Sequence, residues 1–299
     1  MSFGIGVGAV ALLVFFLVNV LGLLRGPADR GVKHEWKKDE DPAIPSDSSP
    51  LLVAIEKLQW FILSHFTRTV VPILFPAPNL NFYSVKDCPG VKGKCCITID
   101  DCFFRQSNQS CSLLSVVRSI LAGHKATFFT TLLYSNNDWK QEEIIKVIKD
   151  GHELANHCKD DREYDAELKE VFEKDLDETE EFLKGCYAKA GKKKTGAWFR
   201  APSGKMSKAM EEALEERGMT NVMMDCYGND PHIPDARFVA SCILRAVTDG
   251  SIIILHCPEK GFREWEVEIL QMVVDGLKDK GLKSVTLSEM KKLAAEKAD

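Results

Sequence analysis

From about residue 92 the chain alternates short apolar runs with longer amphipathic stretches. ITID, KATFFTTL, ELANH, AWFRAP, TNVMMDCYG, SIIILHC and KSVTL read as strands. Between them, SLLSVVRSILAGH, EEIIKVIKDGH, a charged stretch over about 162–190, SKAMEEALEERG, VASCILRAV and REWEVEILQMVVDGLKDKG carry apolar positions at helical spacing. About seven strand–helix units running in one direction predict a parallel sheet, most simply closed into an irregular (β/α) barrel.

The pattern is different ahead of that unit. Residues 3–24 carry no charge and are long enough to cross a bilayer as one helix. A signal peptide would need a basic n-region and a small-residue cleavage site, and neither stands out, so residues 1–24 read as a retained transmembrane anchor, with an uncleaved signal as the alternative. Residues 25–50, with Pro42, Pro45 and an SDSSP run, read as a flexible stem. Residues 51–84 form an apolar connecting segment that still carries Glu56, Lys57, His65 and Arg68. It is expected to lie on a membrane or to pack on the domain that occupies 85–294.

Composition narrows the partners. The chain is 45% hydrophobic, 28% charged and has a net charge of −5, with no basic tract, which sets nucleic acid aside. Ten cysteines fit disulfides in an oxidising compartment, with Cys102–Cys111, or Cys88 with Cys95 or Cys96, as plausible pairs; free buried thiols are the alternative. The sequon Asn108-Gln109-Ser110 also favours a lumenal or extracellular domain. Arg25, Arg30, Lys33, Lys37 and Lys38 after the apolar stretch argue for the opposite orientation.

Polar residues gather at the predicted C-terminal strand ends, where such barrels do their chemistry: Asp100 and Asp101, His157, Arg200, Asp230 and His256. Two adjacent carboxylates raise each other's pKa unless a cation sits beside them. His157 and Asp161, four apart, would face the same way on one helical turn, as paired metal ligands do; a surface turn is the alternative. Arg200 beside a carboxylate would keep it ionised and oriented. His256 follows four apolar residues, and a neutral core histidine is its bland reading.

In this order the motifs resemble those of the polysaccharide deacetylases with a NodB-homology domain, carbohydrate esterase family 4, over about residues 92–290. TIDD resembles the first motif, which implies Asp100 as catalytic base and Asp101 as metal ligand. KATFF resembles the second strand. GHELANHCKDD resembles the segment that supplies two histidine ligands, with His157 matching the first and Asp161 standing where the second is expected. FRAPSG resembles the R-x-P-x-G motif, which implies that Arg200 holds the base and that Pro202 lies by the substrate. YGNDP lies where an Asp-Trp pair is expected; Asp230 fits the Asp, Pro231 replaces the Trp, and Tyr227 falls beside the substrate. LHCP resembles the last motif, which implies His256 as general acid and Leu255 as part of the acetyl pocket.

The resemblance implies metal-dependent hydrolysis of N-acetyl groups on a chitin-like amino-sugar glycan. Zinc is the expected ion, with cobalt, nickel or manganese as alternatives, and a carboxylate at 161 makes the site harder and more anionic. A backbone N–H near Cys226 or Tyr227 is the expected oxyanion donor. The alternatives are a non-catalytic glycan-binding protein that keeps the fold, and a hydrolase of O-acetyl groups or other linear amides. Membrane attachment through the N-terminal helix is the other expected partner interaction.

Overall fold

The computed structural model describes residues 50–296; the expected span and stem, up to residue 49, lie outside the described residues. Among the described residues no helix is long and apolar enough to cross a membrane. Seven strands are all parallel: β1 (Lys94–Cys102), β2 (Ala126–Thr130), β3 (Glu153–Asn156), β4 (Trp198–Phe199), β5 (Thr220–Asn221), β6 (Ile252–His256) and β7 (Lys283–Ser284). Six run in the order β5-β4-β3-β2-β1-β6, with β7 against the start of β1. Between β5 and β6 the ring holds by a single bridge, Cys226 with Ile253, so the predicted closed barrel is an incomplete one.

Helices cover the outside: α1 (Pro50–His65) and α2 (Thr67–Leu74) ahead of β1, then α3 (Leu114–Ile120), α4 (Asp138–Lys149), α5 (Lys169–Lys189), α6 (Lys208–Glu216), α7 (Ala236–Ala246), α8 (Trp265–Asp279) and α9 (Leu287–Ala295). Asn137, Ser207 and Asp235 begin α4, α6 and α7 by accepting backbone N–H bonds that the first turn leaves open. The strand pattern names no element after KSVTL. Instead Thr286 caps a further helix, α9, whose Leu287 and Met290 are buried with Val91 and Val285 beneath the sheet.

Strand alternation sorts the side chains. In β1, Cys95, Ile97 and Ile99 belong to the core under the helices, while Thr98 and Asp100 turn inward. In β6, Ile253 and Leu255 join that core, while Ile254 and His256 line a cleft. Asp100 and His256 are register partners on adjacent strands. Residues 157–161 follow β3 as an irregular loop, not as the helical turn that their spacing suggests.

None of the ten cysteines forms a disulfide. The expected pairs do not form; Cys88 packs against the same cluster as Cys96 without bonding to it. Cys102 donates into the core to the Ile99 carbonyl, away from Cys111. Cys95 and Cys96, being consecutive on a strand, enter two different core clusters.

The segment 50–84 packs on the barrel. The Trp60 indole donates to Ser241 of α7 at 2.7 Å, and Leu63 is buried in the main core. Arg68 reaches the buried Asp225 at 3.1 Å. Leu80 bridges Val222. Tyr83 carbonyl lies so close to Gly250 (φ +75°) that a side chain there would collide with it.

Candidate active site

Both carboxylates of the DD pair face one cleft of about 720 Å³. Asp100 does so by alternation. Asp101 would by alternation face the helices, but its φ of 54° turns the chain and brings its carboxylate into the same cleft. Five non-glycine residues have such positive φ among the described residues: Asp101, Cys158, Ser203, Asn229 and Arg263. Each is a residue of the cleft or a direct neighbour of one of its polar groups. Each costs roughly 1–2 kcal/mol that the rest of the fold must offset.

The first pair is Asp100 with Arg200. Arg200 is 2% exposed, and its Nη1 donates to Asp100 Oδ1 at 2.6 Å and to Thr98 Oγ1 at 2.8 Å. Its Nε and Nη2 donate to the carbonyls of Val222 and Met223 at 2.8 and 2.9 Å, and Phe129 stacks on the guanidinium 4.1 Å away. Burial lowers the Arg200 pKa, while the Asp100 charge opposes that shift. A fork fixed at four donors leaves Asp100 one orientation.

The second pair is Asp230 with His256, joined from Nδ1 to Oδ2 at 2.7 Å. Burial works against the imidazolium, but the Asp230 charge and hydrogen bond outweigh it and raise His256 above its ordinary range. Burial likewise pushes Asp230 up, and the His256 charge and a hydrogen bond from Glu266 bring it below the usual carboxylate range. Glu266 is 1% exposed; burial, then the Asp230 charge, pushes its carboxyl well above its ordinary value. Asp230 Oδ1 and both Glu266 oxygens are buried without another partner, so a neutral Glu266 whose O–H donates to Asp230 Oδ1 satisfies that atom and the oxygen that carries the proton. The Trp265 indole donates to the Asp230 carbonyl at 2.9 Å.

The third group is Asp101, His157 and Asp161, which offer ligand atoms within 4.8 Å of one another. His157 Nδ1 donates to the Arg200 carbonyl at 2.8 Å, which turns Nε2 toward Asp101 Oδ1 at 3.4 Å. Burial raises Asp101, but the His157 hydrogen bond and the His256 and Arg263 charges hold it well below its ordinary range. Two ionised carboxylates and one correctly oriented imidazole fit a divalent cation in chemistry and number. Arginines also press on this group. Arg105 Nη2 lies 2.6 Å from Asp161 Oδ2 and 3.0 Å from Asp101 Oδ2, its guanidinium set between Tyr134 and Phe262. Arg263 Nη1 lies 2.6 Å from the same Asp101 oxygen.

The other expected positions divide. Tyr227 and Pro231 line the cleft. Leu255 does not; it sits in the core, and Ile254 lines the cleft in its place. Pro202 is buried in a 3-10 turn, with Ala201, Ser203 and Gly204 lining the cleft around it. Cys226 N–H is taken by the Ile252 carbonyl, so it is no oxyanion donor. Arg105, Arg263, Glu266 and the α1–α2 wall of the cleft are absent from the sequence reading. Only Arg105, four residues past Asp101, had a spacing that could have drawn notice.

Residues 89–222 match the polysaccharide deacetylase family model. A chitooligosaccharide deacetylase of Sinorhizobium fredii is 26% identical over 176 residues, 55% of this chain and 79% of that one. An uncharacterized protein of Bacillus subtilis is 26% identical over 169 residues, 56% of this chain; the match spans 48% of that relative, about half its length. A pseudoenzyme of carbohydrate esterase family 4 from Bacillus anthracis shares the fold at a TM-score of 0.57 and 19% identity, covering 70% of this chain and 68% of that one. With the motif order and the three polar groups at the strand ends, residues 89–222 carry the polysaccharide deacetylase domain that the family model describes.

Proposed function

We propose that this chain hydrolyses the N-acetyl group of an amino sugar in a glycan. The observation that carries the reading is the placement of two pre-paired units, Asp100–Arg200 and Asp230–His256, on adjacent strands facing one cleft. Asp100, held by Arg200, takes the proton of the attacking water. His256, kept cationic by Asp230, gives a proton to the departing amine. Base and acid thus flank the scissile amide from neighbouring register positions. Asp101, His157 and Asp161 would hold a divalent cation, zinc being the first candidate, which when bound polarises the acetyl carbonyl and favours the ionised form of water.

Retention of both proton-transfer groups in their paired states favours catalysis over a glycan-binding role. The test is acetate release from chitooligosaccharides by the purified full-length chain. Asp100→Asn and His256→Ala should each lower kcat on the order of 10²–10⁴-fold without changing the melt. Equal acetate release from parent and Asp100→Asn would end the proposal.

A further inference from the structure

The cleft has a second wall of different chemistry. Ile62, Phe66, Val70 and Leu74 form a stripe four residues apart along α1–α2, and all four line the cleft that receives Asp100, His157 and His256. Leu63 and Val71, one residue on, also line it and are buried against the barrel, which fixes the helices in place. The outer stripe keeps its exposure, with Phe66 at 43%. Opposite stand Met223, Met224 and Ile254. At a rise of 1.5 Å per residue the stripe is roughly 18 Å long.

Along the stripe itself a sugar's hydroxyls would lose water without gaining a partner; Glu163, Ser203 and Lys205 supply polar groups elsewhere in the lining. A hydrocarbon gains along the stripe instead. Phe61 and Ile73, 47% and 45% exposed on the same two helices, extend the apolar surface beyond the cleft. On the chain, the uncharged residues 3–24 precede this wall. We infer that the substrate is an amphiphile: an N-acetylated amino sugar joined to a lipid, its amide at Asp100 and His256 and its hydrocarbon along the α1–α2 stripe. The inference rests on the deacetylase reading and narrows its substrate class.

The experiment gives the full-length chain, reconstituted in phosphatidylcholine nanodiscs, two substrates. One is a long-chain alkyl N-acetylglucosaminide and the other N-acetylchitotetraose. The alkyl glycoside should have a kcat/KM at least ten-fold higher, and Phe66→Ser with Val70→Ser should cut that ratio at least five-fold through KM, with Phe66→Leu close to the parent. Should the double variant fail to melt cooperatively, the half-exposed Val70→Ser alone carries the comparison. A ratio at or below one, or a ratio the variants leave unmoved, overturns the inference while acetate release still upholds the deacetylase. If neither substrate is hydrolysed, the deacetylase reading fails, and calorimetric binding decides the wall separately. Tighter binding of the alkyl glycoside that is lost in the variant supports it, and equal affinities overturn it.

Discussion

Two side chains that the motifs do not name control the polar groups. Glu266 is neutral in the folded state because burial and the Asp230 charge both oppose its ionisation. Glu266→Gln therefore changes no charge, and the ring titration of His256, followed by NMR, should stay where it is. If Glu266 were ionised, the same substitution would remove a nearby negative charge and lower that titration. Glu266→Leu leaves Asp230 Oδ1 without a donor, at a cost of about 1–3 kcal/mol in the melt. Arg105 acts on the other group. Its guanidinium holds Asp161 and shares Asp101, so a cation entering between these carboxylates must displace it. Arg105→Met should tighten zinc binding at least ten-fold by calorimetric titration, and Asp161→Ala should weaken it. Unchanged affinity in Arg105→Met would show that the guanidinium does not compete.

At the scale of elements, Arg68 is the rivet between α2 and the barrel. Asp225 accepts from Ile252 N–H at 2.7 Å and Ser251 Oγ at 3.0 Å, and burial still pushes its pKa up to about 6 against the Arg68 charge. A carboxyl raised on folding holds its proton more tightly in the native state. Its stabilising contribution is present below about pH 4 and is lost as pH rises through about 6, a swing on the order of 3 kcal/mol. Subtracting the Asp225→Asn stability curve from the parent's should therefore leave a decline confined to pH 4–6, and Arg68→Met should extend that decline to higher pH. A flat difference would place the Asp225 proton elsewhere. The strands and helices from β1 to α8 were legible because their periods, 2 and 3.6, survive in the sequence. Helix α9 was missed although Thr286 and Glu289 carry a capping-box spacing, because a nine-residue element adds little periodicity. The pairings of Asp100 with Arg200 and of Asp230 with His256 were legible from motif order. Leu255 was misplaced because the motif names a position and alternation decides its face. Arg263 and Glu266 were invisible because only the fold brings residues 230, 256 and 266 together.

For the whole molecule, an anchor over residues 1–24, as the sequence leads one to expect, would put the cleft on one of two sides of a membrane. The cysteine count no longer argues for an oxidising compartment. None of the ten cysteines is in a disulfide, and eight are buried. Burial pushes Cys95 and Cys158 up to about 12 and Cys186 to about 11, so these thiols stay protonated and serve as small apolar core residues in either compartment. The basic residues after the uncharged stretch still favour a cytosolic domain. Against them stands Asn108. It is exposed in the loop between β1 and α3, and its side chain only accepts from the Ser110 backbone N–H, a contact that leaves its amide nitrogen open to solvent. A glycan there would project from the surface without disturbing the core. We propose a lumenal or extracellular domain, and Asn108 reports on it directly. Full-length chain made in secretory microsomes should show a glycosidase-sensitive mobility shift that disappears in Asn108→Gln, and the domain should survive protease added to the sealed vesicles. Digestion of the domain from outside the vesicles, with no shift, would place the cleft on the cytosolic side, in line with the basic flank.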